Sequence, residues 1–587
     1  MSVTHSILTV RGCETRHEGL LWNYGMNRKV LLIGLDGGTW TVLKPYIQAG
    51  LLPNLSNLCQ QGCWGELQST FPPLTAPAWS SFLTGKNPGN HGVFHFKNLN
   101  YDSDSSKKGD EQRIVDGRSI QSSTLWDILG HFGRKVGVIN VPMSYPPRPV
   151  NGFMITCLLT PPTANVFSYP ASLSKSLTDY KIDLDRFIAD KPFSMTKDQG
   201  SNPPVVEPSL ELVNEFLAME QKRGQVALEL MRSEPWDVFM VTFTATDRMG
   251  HYLWPFHLSE NLDGSDFGLK LHAAIKETYI CLDEMIGKLI SESGEGITVF
   301  IISDHGMGPI YTKNTHWNNW LYKKGYIVLE QTSRNSPDTW LLRLGLPRDK
   351  IGRMMRRLPG VFGSNLRKKL ASARTASIDT KKSKAYYLPF IDPVGGIRVN
   401  AQDQEKRRII DELITDLNGI LDPSTGTHIL RWAKPREEVF SGPYMEQLPE
   451  IILLMHSDYG SSDRLSHYSA IATDRTEIGN PGGHYLEGIF IARGPEIAAI
   501  SQPTINLHIV DIAPTVLYAM GLPIPRDMDG RVIKKVFTPK TLEERPEIRC
   551  GPMGKWPSEE EAQYIIEELS QEDENGIKDH LRALGYL

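Results

Sequence analysis

The chain has 587 residues, 40% of them hydrophobic and 22% charged, with a net charge of −5. That length exceeds one simple core and fits an α/β enzyme with insertions, and the mild acidity excludes a global basic field for a nucleic-acid duplex or an anionic membrane. No run of about 18 apolar residues is present, so no transmembrane helix is expected.

In chain order, residues 1–27 carry Arg11, Glu14, Arg16, His17 and Glu18 without a continuous apolar stretch. They read as an N-terminal extension and not as a secretory signal. Val30–Leu35 is an apolar run ending in Asp36 and the turn Gly37-Gly38, the pattern of a buried parallel strand. Pro53–Gln61 reads as a helix closed by Gly62. Residues 78–83 continue as a helix from Thr75-Ala76-Pro77, with Pro77 in the first turn. Thr75 therefore sits at a helix N-terminus, a place that favours an anion. A helix over 125–132 and a strand over 135–141 follow. The helix 210–232 feeds the strand 238–246, which leads to Asp247 and, four residues on, His251. The helix 269–290 feeds the strand 297–303, which ends in Asp304-His305. This alternation predicts an α/β fold with a mainly parallel sheet flanked by helices.

The pattern changes beyond about residue 330. Residues 343–374 are basic and Leu-rich, and 386–400, 405–421 and 450–454 read as strand, helix and strand. Core motifs return at Gly482-Gly483-His484, and 508–520 reads as a closing helix. The expected organisation is an extension over 1–27, a first core segment over 28–330, an inserted cap domain over 331–478, a second core segment over 479–545 and a helical tail over 546–587. The tail begins its helical pattern with the acidic amphipathic stretch 559–569. Cys13, Cys59, Cys63, Cys157, Cys281 and Cys550 are sparse for this length and form no second pair to complete a zinc site around Cys59 and Cys63. They read as reduced thiols in a cytoplasmic protein.

Six residues of metal-ligand type, Asp36, Asp247, His251, Asp304, His305 and His484, thus stand beside four apolar runs. Each alone is ordinary, a solvated strand-end carboxylate or a loop histidine. Their joint occurrence at the ends of successive strands, where parallel sheets bind ligands, points to two neighbouring divalent cations. Thr75 between the first two runs then reads as a hydroxyl nucleophile. Asp304 and His305, adjacent in sequence, both reach one site only if the strand end bends, and Gly306 is expected to permit that.

The chain resembles the alkaline phosphatase superfamily in its type I phosphodiesterase/nucleotide pyrophosphatase branch. The resemblance rests on Leu35-Asp36-Gly37, on Thr75-Ala76-Pro77 with Leu83-Thr84-Gly85-Lys86-Asn87-Pro88 and His91-Gly92-Val93, on Asp247 to Gly250-His251, on Ser303-Asp304-His305-Gly306-Met307, on Gly483-His484 and on Asp511-Ile512-Ala513-Pro514-Thr515. It covers about residues 28–325 and 478–535. It implies that Asp36, Asp304 and His305, with the oxygen of Thr75, would hold one cation, and Asp247, His251 and His484 the other. Zinc fits these donors best, with Mn²⁺ or Fe as the other candidates. Thr75 would attack phosphorus and form a phospho-threonine. Sulfatases share the architecture but need Cys or Ser followed by an Arg at the position that Trp79 fills here. Nucleotide pyrophosphatases place an Asn, as a donor to the phosphoryl oxygen, at the position that Phe96 fills. Lys97, beside Phe96, is the expected replacement donor. The resulting expectation is a metal-dependent hydrolase of small phosphoesters, acting on diesters or pyrophosphates. A phosphomonoesterase or phosphoglycerate-mutase-like transferase, and a metal-binding pseudoenzyme, are the alternatives.

Overall fold

The computed structural model describes residues 28–97, 113–161, 163–177, 179–180, 182–183, 208–330, 377–463, 465, 470–475, 479–553 and 570–583. The N-terminal extension, the basic stretch 343–374 and the acidic segment 559–569 lie outside them.

A nine-stranded sheet forms the centre. From edge to edge its strands are Thr504–His508, Cys63–Gln68, Glu487–Arg493, Thr298–Ile302, Val30–Leu35, Val238–Phe243, Val136–Ile139, Gly152–Ile155 and Ser168–Tyr169. The five strands from Thr298–Ile302 to Gly152–Ile155 pair in parallel, and antiparallel pairs flank them on both sides. Along Val30–Leu35 every residue is buried, with Leu31, Ile33 and Leu35 in one core and Val30 and Leu32 in the other. A parallel sheet covered on both faces gives such an unbroken apolar run. Helices Leu210–Ser233 and Asp266–Ser293 contribute to the first core, and Thr75–Thr84, Leu125–His131 and Ile512–Ala519 to the second.

The register fixes where the chemistry lies. Leu35 pairs with Phe243 and Gly34 with Ile302, so the chain leaves all three central strands at one edge of the sheet. Helix Thr75–Thr84 comes close over this region because Gly34 has no side chain. A Cβ there would stand 2.4 Å from the Trp79 ring and 2.8 Å from the Thr242 hydroxyl. Trp79 is therefore a packing residue, seated on the strand that leads to Asp36.

Several expected boundaries shift. The strand expected over 238–246 stops at Phe243, and helix Ala245–Leu253 begins at once, so Asp247 stands in a first helical turn. The helix expected over 508–520 splits into the edge strand Thr504–His508, a short 3₁₀ turn Ile509–Asp511 and helix Ile512–Ala519. Strand pairing with Cys63–Gln68 claims the start of that apolar run. Residues 386–400 form two strands, Ala385–Ile391 and Val394–Val399, folded into a hairpin at Asp392-Pro393. With Ile451–Met455 and Leu430–Pro435 they make a four-stranded antiparallel sheet, packed against Ile409, Leu413 and Leu417 of helix Asp403–Asn418. This second sheet falls within the span read as an insert. A small sheet in which Lys313–Thr315 pairs with Tyr459–Ser461 and Ala472–Asp474 ties that span to the core. Among the described residues no helix is long and apolar enough to cross a membrane.

Candidate metal centre

Asp36 follows the first central strand, and its backbone N–H still donates to Phe243 O at 2.9 Å, continuing the ladder one residue past the strand. Asp304 and His305 follow Thr298–Ile302. Gly306 then starts strand Gly306–Pro309, which pairs antiparallel with Gly482–Tyr485 and sets His484 opposite Met307. Gly306 acts differently from the expectation. Its φ is not left-handed. The requirement is steric, since a Cβ would lie 2.1 Å from the Glu487 carbonyl oxygen. The chain does bend at Asp304 and His305, and close backbone approach at Gly306 lets the corner pass against Glu487.

Seven of the eight residues singled out in the sequence meet here. His305 Nε2 lies 3.2 Å from Asp304 Oδ2 and 3.7 Å from Asp36 Oδ1. Thr75 Oγ1 is 3.4 Å from the same nitrogen. His251 Nε2 and His484 Nε2 converge to 2.9 Å, and they lie 3.4 Å and 3.6 Å from Asp247 Oδ1. Asp36, Asp304 and His305 have donor atoms mutually close enough for one ion, as do Asp247, His305 and His484. His305 thus lies between two sets, and His251 joins the second through His484 and Asp247. The His484 ring is turned by its Nδ1, which lies 2.8 Å from Pro73 O, and the His305 ring by its Nδ1, 3.1 Å from Gly306 O. Such contacts at one ring nitrogen aim the other at a cation.

The electrostatics fit divalent cations. Both carboxylate oxygens of Asp36 are buried with no hydrogen-bond partner. Burial, then repulsion from Asp304 and Asp247, pushes the Asp36 carboxyl well above its ordinary range. Burial and the charge of Asp247 push Asp304 up to about 7. Burial lowers His305 to about 4 and, with His305 beside it, His484 to about 3, so both rings are neutral at pH 7, as metal ligands must be. For Asp247 burial acts upward, but His251, His484 and Arg248 outweigh it and hold the carboxyl well below its usual range. Three buried carboxylates facing three imidazoles make an oxygen and nitrogen donor set that suits zinc.

A pH dependence follows. A cation displaces the protons held by Asp304 and Asp36, so apparent affinity falls as pH drops through about 7, while the His305 and His484 imidazoles add no proton cost until far lower pH. Calorimetric Zn²⁺ titrations of metal-stripped protein near pH 6 and pH 8, in buffers of different ionisation enthalpy, are expected to show weaker binding and proton release at the lower pH. Equal affinity without proton release contradicts this.

Lys97 stands apart from the seven. Its backbone pairs with Ile114 in an isolated bridge, and its ammonium pKa is lowered by burial and by Arg582 and Lys578 of the tail helix Gln571–Ala583. Phe96 beside it is buried in the core. This placement favours a lysine that packs against the tail over one that meets a phosphoryl oxygen. Lys97→Ala is expected to change kcat less than about threefold, with metal content unchanged; a loss of tenfold or more restores the donor role.

The sequence reading passed over the buried groups behind the ligands: Arg248, which donates to Asp247 Oδ2 at 2.6 Å; Asp183, also paired with Arg248; and Glu220 with Arg223 in helix Leu210–Ser233. Arg248 had a signal in its position next to Asp247. Glu220 and Arg223 look like ordinary members of an amphipathic helix.

A cavity of 530 Å³ reaches the cluster through His484 and Met307. Core residues Trp40 and Glu66 line one side, the second sheet contributes Asp392 and Arg431, and Tyr311 and Tyr485 add aromatic rings.

The profile of the family described as type I phosphodiesterase / nucleotide pyrophosphatase matches residues 30–467. The chain belongs to this family. The match spans both the Thr75 and Asp304-His305 motifs and the second sheet. A comparison with curated protein sequences finds no match. Among solved structures, phosphonoacetate hydrolase from Sinorhizobium meliloti 1021, in complex with phosphonoformate, aligns at 17% identity over 84% of this chain and 95% of its own, with a TM-score of 0.46. Human ectonucleotide pyrophosphatase/phosphodiesterase 5 aligns at 15% identity over 88% of this chain and 99% of its own, with a TM-score of 0.45. Family membership makes this chain a phosphoester hydrolase by class, with a metal centre of the kind its geometry displays.

Proposed function

We propose that the chain hydrolyses phosphoric diesters or pyrophosphates by in-line displacement at phosphorus, with Thr75 as the nucleophile and two divalent cations, zinc by the donor set, in the cluster. Asp36, Asp304 and His305 would hold one cation, with Thr75 Oγ1 beside it, and Asp247, His251 and His484 the other. Bound there, the cations supply Lewis acidity that lowers the pKa of the threonine hydroxyl and neutralises phosphoryl charge. Thr75 Oγ1 forms the new bond to phosphorus as the bond to the leaving oxygen breaks, and that oxygen takes a proton from solvent. Water then attacks the phospho-threonine, and Thr75 regains its proton. The N-terminus of helix Thr75–Thr84 adds a positive pole where negative charge develops.

The observation that carries the reading is the convergence of six buried ligand residues beside a buried hydroxyl 3.4 Å from His305 Nε2. The cavity beside His484 is the proposed seat of the leaving group. Its aromatic rings with Glu66, Asp392 and Arg431 suit a polar, ring-bearing group such as a nucleoside or sugar. A cytoplasmic location belongs to the same reading, supported by the free thiols of Cys59, Cys63, Cys157 and Cys281. Acid quenching during turnover of bis-p-nitrophenyl phosphate, followed by peptide mass analysis, is expected to find phosphate on Thr75. Turnover confined to mono-p-nitrophenyl phosphate overturns the diester assignment.

A further inference from the structure

Helix Ala245–Leu253, which carries Asp247 and His251, starts straight from a strand end, where its first N–H groups lack a carbonyl one turn back. Glu220 fills that place from another helix. Its Oε1 accepts from Thr244 N at 2.6 Å and Ala245 N at 2.7 Å, and its Oε2 accepts from Arg223 at 2.7 Å. Arg223 also donates to the Ile182 carbonyl at 2.8 Å. The helix that carries Asp247 and His251 is thus held at its backbone by Glu220, itself held by Arg223.

Its carboxylate is fixed separately. Arg248, buried, donates to Asp247 Oδ2 at 2.6 Å and to Asp183 Oδ2 at 2.8 Å. The other oxygen, Asp247 Oδ1, faces the imidazoles, at 3.4 Å from His251 Nε2, 3.6 Å from His484 Nε2 and 3.9 Å from His305 Nε2. The two oxygens are therefore divided between a guanidinium and the candidate cation position. A carboxylate with both oxygens open can chelate one ion through both, or rotate between partners. A planar guanidinium, held in turn by a second carboxylate, prevents both.

We propose that Arg248, oriented by Asp183, is a positioning residue that occupies Asp247 Oδ2 and so presents Oδ1 as a single donor atom to the cation at His251 and His484. The inference rests on the two-cation reading above. It implies that this cation depends on Arg248, while the one at Asp36 and Asp304 does not.

The test is a Zn²⁺ titration of metal-stripped protein, followed by competition with a chromophoric chelator, on wild type, Arg248→Lys and the double variant Arg248→Met/Asp183→Leu. The double variant leaves no buried charge at either position and guards against a single variant that fails to fold. Thermal unfolding of the metal-free proteins reports folding separately from binding. His251→Ala marks which of the two binding steps belongs to the His251 side. The expected result is that this step weakens by roughly 10- to 100-fold in the double variant, less in Arg248→Lys, while the other step keeps its affinity. Equal weakening of both steps, or unchanged or tighter binding in the double variant, makes Arg248 a charge-balancing or purely structural residue and overturns the proposal. Wild-type protein that binds fewer than two cations overturns the two-cation reading itself, and the proposal with it.

Discussion

Thr75→Ala is expected to abolish turnover while leaving both cations bound. The variant removes the hydroxyl that stands 3.4 Å from His305 Nε2, and it leaves Asp36, Asp304 and His305 with their own geometry. A lost nucleophile costs a factor on the order of a thousand or more, or at least about 4 kcal/mol of barrier. The fold is expected to tolerate the change, because Leu74 and not Thr75 is the cap residue of the helix, and it makes no side-chain cap bond. Single-turnover kinetics with elemental analysis is the measurement. A variant within tenfold of wild type shows that water attacks phosphorus directly.

Removal of the cations is expected to have an effect of similar size. Chelation takes away the charge that balances Asp36, Asp304 and Asp247, and activity should fall by a factor on the order of a thousand or more. Two equivalents of Zn²⁺ per chain should restore it, and His251→Ala should restore with one tight and one weak equivalent. Metal-stripped protein that keeps its activity contradicts the dinuclear mechanism. Recovery with one equivalent in wild type assigns catalysis to a single ion.

Much of this centre was readable before any coordinates, because parallel sheets place their ligands at strand ends and the strands here are short, apolar and well separated. Asp36 and Asp304-His305 are the first ionisable residues after buried runs, and Asp247 and His251 fall one helical turn apart. Pro77 in a first helical turn correctly set Thr75 at a helix N-terminus. The misses share a cause. Boundaries failed where tertiary bonds override local pattern. Glu220, from the helix before the strand, starts the Asp247 helix early, and an edge pairing with Cys63–Gln68 takes His508, the expected first residue of a helix, into strand Thr504–His508. The charges of Lys578 and Arg582, far along the chain, bear on Lys97, an influence that spacing from Thr75 does not reveal. Gly306 was credited with conformational freedom when its real role is the absence of a Cβ against Glu487 O, a contact made by a strand that sequence alone cannot position.

The seat of Trp79 on Gly34 bears on how this enzyme can diversify. The proposed nucleophile and the first candidate ligand stand beside two elements clamped face to face through one indole, so the spacing between Thr75 and Asp36 is a property of the core and not of any loop. A new substrate cannot be accommodated by resetting that spacing without unpacking the sheet. Variation is left to the other wall of the cavity, where Asp392 and Arg431 stand on a separate antiparallel sheet with its own apolar core. The chemistry is thereby inherited as a rigid unit, and substrate choice can drift with the second sheet alone.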